Sequence, residues 1–394
     1  MSYYKNYRTT KGKRRKNEVP YNQHNHHKVL GRPLIIGYMS VDGNRQYCSN
    51  LSQLKFLNNN SNISTSLDLN HNIDAAIKRS TDENNEKIDL LLQFLLHQNQ
   101  YITSFYKGLD FITYRRTLIS VMCSAFTSSQ PVTVKACLFQ DKIYLCSVES
   151  AQELLRRQAR TKDEEMYCAW GYKFEQYLLS DQPDSSPSTE KPVVENEEFS
   201  LFYYNTLSDL KLLYGAQIDA LLTNKSTTQP PKTDDFETNL NYLKNNEFAE
   251  LKTNRELQNL KQERNFKRYK LLRCWCQCIL ANLSGLFVGF RNDQGIVQRL
   301  HWFNTQDLVK YCKDEWNPQQ ALDYLHYFLS HVKQCFEPYK TQMGPVVIQF
   351  EIAVDKKITI VECGLLAVLA LALWFGFTRG CLGTRRRRRR RSCS

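Results

Sequence analysis

The chain has 394 residues, of which 42% are hydrophobic, and a net charge of +13. This composition excludes a wholly disordered chain and is sufficient for one large core or two moderate ones. Residues 1–16 and 378–394 together carry fifteen positive charges and no negative ones. Subtracting these from the net charge of +13 leaves −2 for the rest of the chain. The body of the protein is therefore not uniformly basic.

The thirteen cysteines are scattered along the chain. We expect a reduced, intracellular protein rather than a disulfide framework, because the N-terminus does not read as a secretory signal. Cys274, Cys276 and Cys278 form the densest group, but only the first and third would share a face of a helix. No second pair lies at zinc-like spacing, so buried thiols are favoured over a zinc site.

Residues 1–30 have little apolar content, which predicts a disordered basic tail. Its KGKRRK run is typical of a nuclear import signal and also of a solvated tail. We expect a nuclear protein, with the cytoplasm left open as a second location.

A strand, a helix and a hairpin are predicted next in chain order. PLIIGYMSVD predicts a strand that ends at a polar turn, and NEKIDLLLQFLL places its leucines at helical spacing. PVTVKACLF and KIYLCSV alternate as a hairpin would around Gln140 and Asp141. Residues 181–198 predict a polar surface insertion, and 224–246 a second loop.

The second half continues the mixed pattern. A helix is predicted over 265–283, and LFVGFRNDQGIV then predicts a strand, a turn and another strand. Strands and helices alternate irregularly, without an internal repeat. We therefore predict one mixed α/β domain over 31–361.

The C-terminal region, 362–394, combines an apolar segment with an arginine-rich tail. Gly364–Phe377 is purely apolar, and extending it back to Ile358 gives twenty residues, interrupted by Glu362. Twenty residues are long enough to span a bilayer, whereas fourteen are equally typical of a buried helix. Both interpretations stay open, with the buried helix favoured.

Two short segments bring polar side chains together. In FAELKT, Glu250 and Lys252 would share one face of a strand with Phe248. About thirty residues upstream, YGAQIDALL places Gln217 and Asp219 on one face in the same way. If these two strands pair, four polar groups converge.

A third segment, GYKFEQY, adds Glu175, and we expect separate short strands to deliver Glu175, Asp219 and Glu250 to one pocket. Three gathered carboxylates would cost on the order of several kcal/mol unless a cation neutralises them, and Mg²⁺ or Mn²⁺ is the natural candidate. With Lys252 beside it, such an ion suits attack of water on a phosphodiester or pyrophosphate. The alternative is an edge strand with a solvated polar face.

The following helix, KRYKLLRCWCQC, favours a phosphate-binding role. Lys270 and Gln277 are two helical turns apart, with Arg273 between them, so all three are expected to point the same way. A stripe of basic and amide side chains suits a phosphate backbone.

In this order and spacing, GYKFEQY, YGAQIDALL, FAELKT, KLLRCWCQ and VGFRNDQGIV resemble the decapping and exoribonuclease (DXO) family. Its members remove aberrant, triphosphate or NAD caps from RNA 5′ ends. The likeness runs over 33–361, and FITYRR stands where the family usually has Trp-Arg-Gly. The resemblance implies a single mixed α/β domain with two β-sheets flanked by helices, a core similar to the PD-(D/E)XK nucleases, and a Mg²⁺ or Mn²⁺ site.

The resemblance also implies a role for each matching residue. Glu175, Asp219, Glu250 and the backbone carbonyl of Leu251 would bind the metal. The same three carboxylates and Lys252 would form the catalytic set.

The substrate-binding set implied by the resemblance comprises Arg115, Gln217, Lys252 and Gln277. Lys252 and Gln277 would contact the scissile phosphate and its neighbours, and Arg115 would contact RNA phosphates. Without the resemblance, Arg115 would be interpreted as an exposed strand residue.

Two positions depart from the family pattern. Gln217 replaces a glutamate, which keeps the size but removes a charge and a proton acceptor, so metal affinity should fall. Arg116 replaces a glycine and adds bulk and charge beside the RNA path.

The predicted function is a metal-dependent hydrolase of RNA 5′ ends that removes NAD-type or incomplete caps and 5′ pyrophosphate. We also expect 5′–3′ exoribonuclease activity, a role in RNA quality control and a partner exoribonuclease. The first alternative is a catalytically weakened, cutoff-like protein that binds RNA 5′ ends and acts through nuclear partners. A membrane-tethered RNA factor is the weaker alternative.

Overall fold

The computed structural model describes residues 27–58, 66–79, 87–126, 130–224, 227–342 and 344–365. Two sets of predictions lie outside these ranges. The first concerns the basic tail with its KGKRRK sequence, and the second concerns the apolar segment and the arginines beyond residue 365. Within them, every helix is too short or too polar to cross a bilayer.

The fold is built on two β-sheets, whose strands are numbered in chain order. The larger sheet has nine strands, in the spatial order β16 (Ile358–Leu365), β15 (Val346–Ile352), β6 (Val132–Phe139), β7 (Lys142–Val148), β5 (Phe111–Tyr114), β10 (Leu210–Gln217), β9 (Glu198–Leu207), β1 (Leu34–Val41) and β2 (Tyr47–Cys48). The smaller sheet has seven, in the order β4 (Leu67–Asp68), β14 (Ile296–Asn304), β13 (Gly285–Arg291), β12 (Glu247–Arg255), β11 (Ala220–Thr223), β3 (Phe56–Asn58) and β8 (Leu179–Ser180).

The helices of the described chain lie between and around these sheets. They are α1 (Asp89–His97), α2 (Asn99–Ile102), α3 (Arg115–Ser124), α4 (Ala151–Gln158), α5 (Lys162–Leu178), α6 (Phe236–Lys244), α7 (Leu260–Asn265), α8 (Leu272–Ala281), α9 (Thr305–Tyr311) and α10 (Pro318–Phe336). A π-helical turn, Phe266–Leu271, joins α7 to α8.

The largest hydrophobic core connects the two sheets through α3, α8 and α10. Apolar side chains from β6, β9 and β10 meet those of β13 across these helices. The thiols of Cys274, Cys276 and Cys278 are buried in this core, as the sequence predicts.

The chain crosses from one sheet to the other between Gln217, at the end of β10, and Ala220, at the start of β11. Ile218 and Ala220 are buried, which follows from the alternation of strand side chains. Gln217 and Asp219 therefore emerge at the junction between the sheets.

The hairpin predicted around Gln140 and Asp141 is confirmed. Both residues have positive φ angles, 48° and 60°, and they join β6 to β7 in an antiparallel pair. A two-residue turn with two positive φ angles matches the twist of the flanking strands.

The second predicted loop, 224–246, is wrong in its second half, where α6 forms. Asp235 caps this helix by accepting a hydrogen bond from the Thr238 amide at 2.8 Å. Phe236, Leu240 and Leu243 are buried at helical spacing. The polar residues between them obscured this periodicity in the sequence.

The prediction of a continuous apolar helix from Ile358 is also wrong at its start. Residues 358–365 form β16, which pairs antiparallel with β15 from Ile358 opposite Ile352. Ile358 is buried whereas Ile360 and Val361 are exposed, and the register of the pair shifts beside them, between Gln349 and Phe350. Strand pairing therefore outweighs the helix prediction there.

Candidate active site

The site is built on β12, the strand formed by FAELKT. β12 pairs with β11 only over Glu247–Ala249, but with β13 from Ala249 to Arg255. The predicted pairing of FAELKT with the segment after Asp219 is thereby confirmed. From Leu251 onward, no strand of the described chain covers the second edge of β12.

Asp219, Leu251 and Lys252 are connected at the start of this open edge. The Leu251 amide donates to Asp219 Oδ2 at 2.8 Å, and Lys252 Nζ lies 3.2 Å from the same oxygen. Lys252 Nζ also donates to the Leu251 carbonyl at 2.8 Å. Burial alone would lower the pKa of Lys252, but Asp219 and Glu250 raise it well above its ordinary value.

Glu250 is the most deeply buried carboxylate of the site, with 2% of its surface exposed. Lys252 Nζ lies 2.6 Å from its Oε1, Gln277 Nε2 donates to Oε1 at 2.7 Å, and Arg115 lies 3.4 Å from Oε2. Burial raises the pKa of Glu250, but Lys252 and Arg115 outweigh it, so the carboxyl stays ionised at neutral pH.

Glu175 reaches the site from α5, so the expectation that three strands deliver the acids is wrong. Trp170, Phe174 and Leu178 recur at helical spacing and are buried against the smaller sheet. Their spacing is the signal that could have identified the helix. Burial, followed by the charge of Asp219, raises the pKa of Glu175 to about 8.

Two cavities meet at the junction between the sheets. One, of about 420 Å³, is acidic, and its carboxylates are Glu175, Asp181, Glu197, Glu198 and Asp219. The other, of about 310 Å³, is basic, and its cations are Arg45, Arg79, Lys87, Arg115, Arg116 and Arg273. Gln217 and Glu198 line both cavities, so they form the boundary between opposite electrostatic environments.

Sequence reasoning missed part of this boundary. Arg45 and Glu198 form an ion pair at 2.9 Å, although 153 positions separate them along the chain. No local pattern marks such a pair, because only the pairing of β1 with β9 brings its two halves together.

Arg115 begins α3 and is buried, so its interpretation as an exposed strand residue is wrong. Its guanidinium donates to the carbonyls of Gln217 at 2.8 Å and Gln277 at 3.1 Å, besides contacting Glu250. Arg115 therefore connects both sides of the junction and lines the basic cavity. Its contact with RNA phosphates stays a prediction.

The predicted stripe of Lys270, Arg273 and Gln277 is divided. Arg273 and Gln277 line the basic cavity, whereas Lys270 Nζ donates to the Thr253 carbonyl at the edge of β12. The π-helical turn ends at Leu271, and its wider winding changes the direction of Lys270 relative to α8. Spacing counted on a regular helix therefore fails here.

The donor atoms fit a hard divalent cation. Lys252 Nζ already contacts three oxygens, Asp219 Oδ2, Glu250 Oε1 and the Leu251 carbonyl, which shows that a cation is stabilised there. In the ranges that the structure describes, no three acidic, histidine or cysteine side chains are spaced to hold a metal ion. The metal-ligand roles of Glu175, Asp219, Glu250 and Leu251 thus stay predictions, and Lys252 would have to withdraw.

A family model described as RAI1 like PD-(D/E)XK nuclease matches residues 31–371. The decapping and exoribonuclease protein Rai1 of Drosophila melanogaster is 28% identical over 329 residues, which cover 82% of this chain and 85% of the relative. The decapping and exoribonuclease protein of Homo sapiens is 28% identical over 306 residues, covering 76% and 74%.

Solved structures show the same fold. Candida albicans Rai1 in complex with pU5-Mn²⁺ has a TM-score of 0.73 at 20% identity, covering 90% of this chain and 94% of that one. Scheffersomyces stipitis Rai1 in complex with (3′-NADP)⁺ and calcium ion has a TM-score of 0.71 at 18% identity, covering 88% and 92%. These neighbours confirm the mixed α/β, two-sheet fold.

The Candida albicans protein is bound to Mn²⁺ and the Scheffersomyces stipitis protein to calcium ion, which agrees with the divalent cofactor predicted from the sequence. The nuclease family and the named decapping relatives confirm that the chain is an enzyme of the hydrolase class. From its match over most of its length, the chain belongs to the RAI1-like PD-(D/E)XK nuclease family.

Proposed function

We propose that the protein is a metal-dependent hydrolase of RNA 5′ ends that removes NAD-type or incomplete caps and 5′ pyrophosphate. We further propose a 5′–3′ exoribonuclease activity and a role in RNA quality control. The observation that carries the proposal is the cluster of two carboxylates, Asp219 and Glu250, with Lys252, directly beside a basic cavity. The cluster would cleave a phosphate chain, and the basic cavity would hold it.

Asp219, Glu250 and the Leu251 carbonyl, together with Glu175 once it has released its proton, would hold the divalent metal. The ion would lower the pKa of a water molecule and offset negative charge on the phosphate oxygens. Lys252, displaced from these oxygens, would orient the same phosphate. Arg115 fixes Glu250 from the opposite side, which keeps the carboxylate in place during turnover.

Glu175 would exchange a proton with solvent when the metal binds. Its pKa of about 8 means that it holds a proton at neutral pH and can release one close to it. The group also lines the acidic cavity with Asp219. Glu175 is thus the member of the cluster best suited to accept or return a proton near pH 7.

The basic cavity would bind the RNA backbone. Arg116 and Arg273 are exposed cations without an ion-pair partner in the described chain, and they line this cavity with Arg115. Cations that contact phosphates position RNA without reading its sequence. Solved relatives bound to pU5, 3′-NADP⁺ and 3′-FADP support nucleotides of this kind as ligands.

The test is a panel of end-labelled RNAs with NAD, triphosphate, unmethylated-cap and monophosphate 5′ ends, incubated with Mn²⁺. We expect a released cap or pyrophosphate from at least one of the first three, and none with Glu250→Ala. Intact RNA in every arm, at every metal concentration, would refute the enzyme proposal.

A second candidate function is an RNA 5′-end-binding protein with weakened catalysis. Gln217 favours it, since this neutral side chain lies between the two cavities. The distinguishing variant is Gln217→Glu. If only this variant cleaves RNA while the native protein binds RNA without turnover, the binding function is the correct one.

We propose that the protein acts in the nucleus with a partner exoribonuclease. The support is compositional: KGKRRK in the basic tail suits import. Replacing the tail's lysines and arginines with glutamine should shift a fluorescent fusion to the cytoplasm. The membrane-tether alternative would fail if removal of residues 366–394 leaves membrane fractionation unchanged.

A further inference from the structure

The open edge of β12 continues beyond the acidic cluster. The Leu251 amide points to this edge, where it donates to Asp219. Residues two apart in a strand present their backbone groups to the same side, so the Thr253 amide and carbonyl point there too. β11 begins opposite Ala249, and no other strand of the described ranges pairs with Thr253 on this side.

Two lysines lie along this edge in succession. Lys252 Nζ donates to the Leu251 carbonyl, and Lys270 Nζ donates to the Thr253 carbonyl. Carbonyls on the same side of a strand and two residues apart are separated by about 6.6 Å, so the two ammonium groups are held at different points along the edge. The edge thus presents two separate cationic positions.

Lys270 differs from Lys252 in its partners. Lys252 is neutralised by Asp219 and Glu250, whereas Lys270 has no carboxylate at ion-pair distance in the described part of the chain. An ammonium has three N–H donors, and the Thr253 carbonyl uses one. The remaining donors of Lys270 and the Thr253 amide lie at the same point of the edge.

We propose that Lys270 and the Thr253 amide form a second phosphate-binding subsite, next to the scissile position at Lys252 and separate from the basic cavity. Backbone amides and lysine ammonium groups are the usual donors to phosphate oxygens. The proposal rests on the proposed function, because it assigns the scissile phosphate to Lys252. Its ligand is a nucleotide phosphate adjacent to that one.

Two sources could supply this phosphate: the nucleotide of the cap, or the RNA body. Neither Lys270 nor Thr253 lines the basic cavity, which is assigned to the RNA body. The cap side is therefore the expected source. Either source would present a nucleotide phosphate to the same donors, and binding measurements can distinguish the two sources.

The experiment compares wild type, Lys270→Met and Lys310→Met by fluorescence anisotropy, in EDTA so that nothing is turned over. Met keeps the apolar stem of the lysine and removes the charge. Lys310 lies exposed on α9, without an ion pair in the described chain, and serves as the matched control. The probes are one RNA sequence with either an NAD cap or a 5′-hydroxyl.

Lys270→Met should weaken binding of the NAD-capped RNA by about tenfold or more, the usual cost of losing one charged hydrogen bond. The 5′-hydroxyl RNA should bind equally well to all three proteins. Equal loss on both probes would retain the subsite and assign it to the RNA body. Unchanged affinity for both probes would overturn it.

Thr253→Pro provides an independent check. Proline removes the amide on an edge that pairs with no other strand, where it is tolerated best. Thr253→Pro should weaken binding of the NAD-capped RNA but not of the 5′-hydroxyl RNA, and it should leave the melting temperature unchanged. If the wild type binds neither RNA, the proposed function itself fails, which distinguishes that result from failure of the subsite.

Discussion

Lys252 explains how the acidic residues can coexist without a metal. One ammonium contacts oxygens of Asp219, Glu250 and Leu251, and Arg115 adds a second positive charge beside Glu250. With Glu175 protonated, the carboxyl groups of Asp219 and Glu250 face two cations. The cost that makes carboxylate clusters unstable is therefore offset by side chains of the chain itself.

This balance depends on pH through Glu175. The native carboxyl has a pKa of about 8 against an ordinary value of 4.5, so the folded state keeps a proton that the unfolded state releases. Stability should then fall as pH rises from about 4.5 to about 8. Glu175→Gln should lose this dependence, so its melting temperature relative to that of the wild type should be higher at pH 8 than at pH 5.

Melting curves in EDTA at the two pH values provide the measurement. Glu237→Gln, on the exposed side of α6, is a control in which the wild-type pH dependence should persist. If Glu175→Gln and wild type lose the same number of degrees between pH 5 and pH 8, the assigned proton is not on Glu175.

At the residue scale, the sequence predicted correctly which side chains share one face of a strand. Glu250 and Lys252 share a face because strand side chains alternate, and the predicted pairing with YGAQIDALL brought Asp219 close to both. Glu198 and Arg45 were missed because they meet only through the pairing of β1 with β9. Local periodicity carries no information about such contacts.

At the scale of elements, α5 places Glu175 through close packing on β13. A Cβ atom on Gly289 would lie 2.4 Å from the Phe174 ring, so only glycine allows the helix to approach this closely. The carboxylate is one residue further along α5. The position of an acid in the site is thus fixed by a glycine on another element.

Gly289→Ala should force α5 away from the sheet and destabilise the protein by about 1–3 kcal/mol, as overpacked cores do. Gly171→Ala, on α5 itself, meets no atom within 4 Å and should instead stabilise by about 0.5–1 kcal/mol, because alanine favours a helix. Denaturant unfolding measures both. Equal effects of the two changes would contradict the packing account.

Element type was predicted well where periodicity was strong and poorly where polar residues interrupted it. The hairpin of β6 and β7 alternates cleanly and was found. α6 was missed because asparagines and threonine separate its buried residues, and the π-helical turn before α8 redirected Lys270. Neither feature leaves a distinct signal in residue spacing.

At the scale of the whole molecule, two electrostatic environments meet at one junction. The body is nearly neutral overall, so the cations of the basic cavity act through their concentration in one place. RNA binding there should depend on salt, because cations that replace counterions on phosphates release them. The charge count of the whole chain could not reveal this, since two cavities of opposite sign cancel.

Removing Arg116 and Arg273 together should reduce the slope of log affinity against log salt by about 1.4 for single-stranded RNA. Anisotropy titrations at several salt concentrations measure the slope, with Lys310→Ala as the control that leaves it unchanged. A slope unaffected by the double substitution would place the RNA elsewhere on the molecule.

The most direct measurement of the central claim is release of the cap from NAD-capped RNA by the wild-type protein with Mn²⁺, beside Glu250→Gln. Gln retains the size of the side chain and removes the charge that faces Lys252. We predict product from the wild type in Mn²⁺, none in EDTA and none from the variant. Product formation by Glu250→Gln at the wild-type rate would contradict the assignment of this cluster as the catalytic centre.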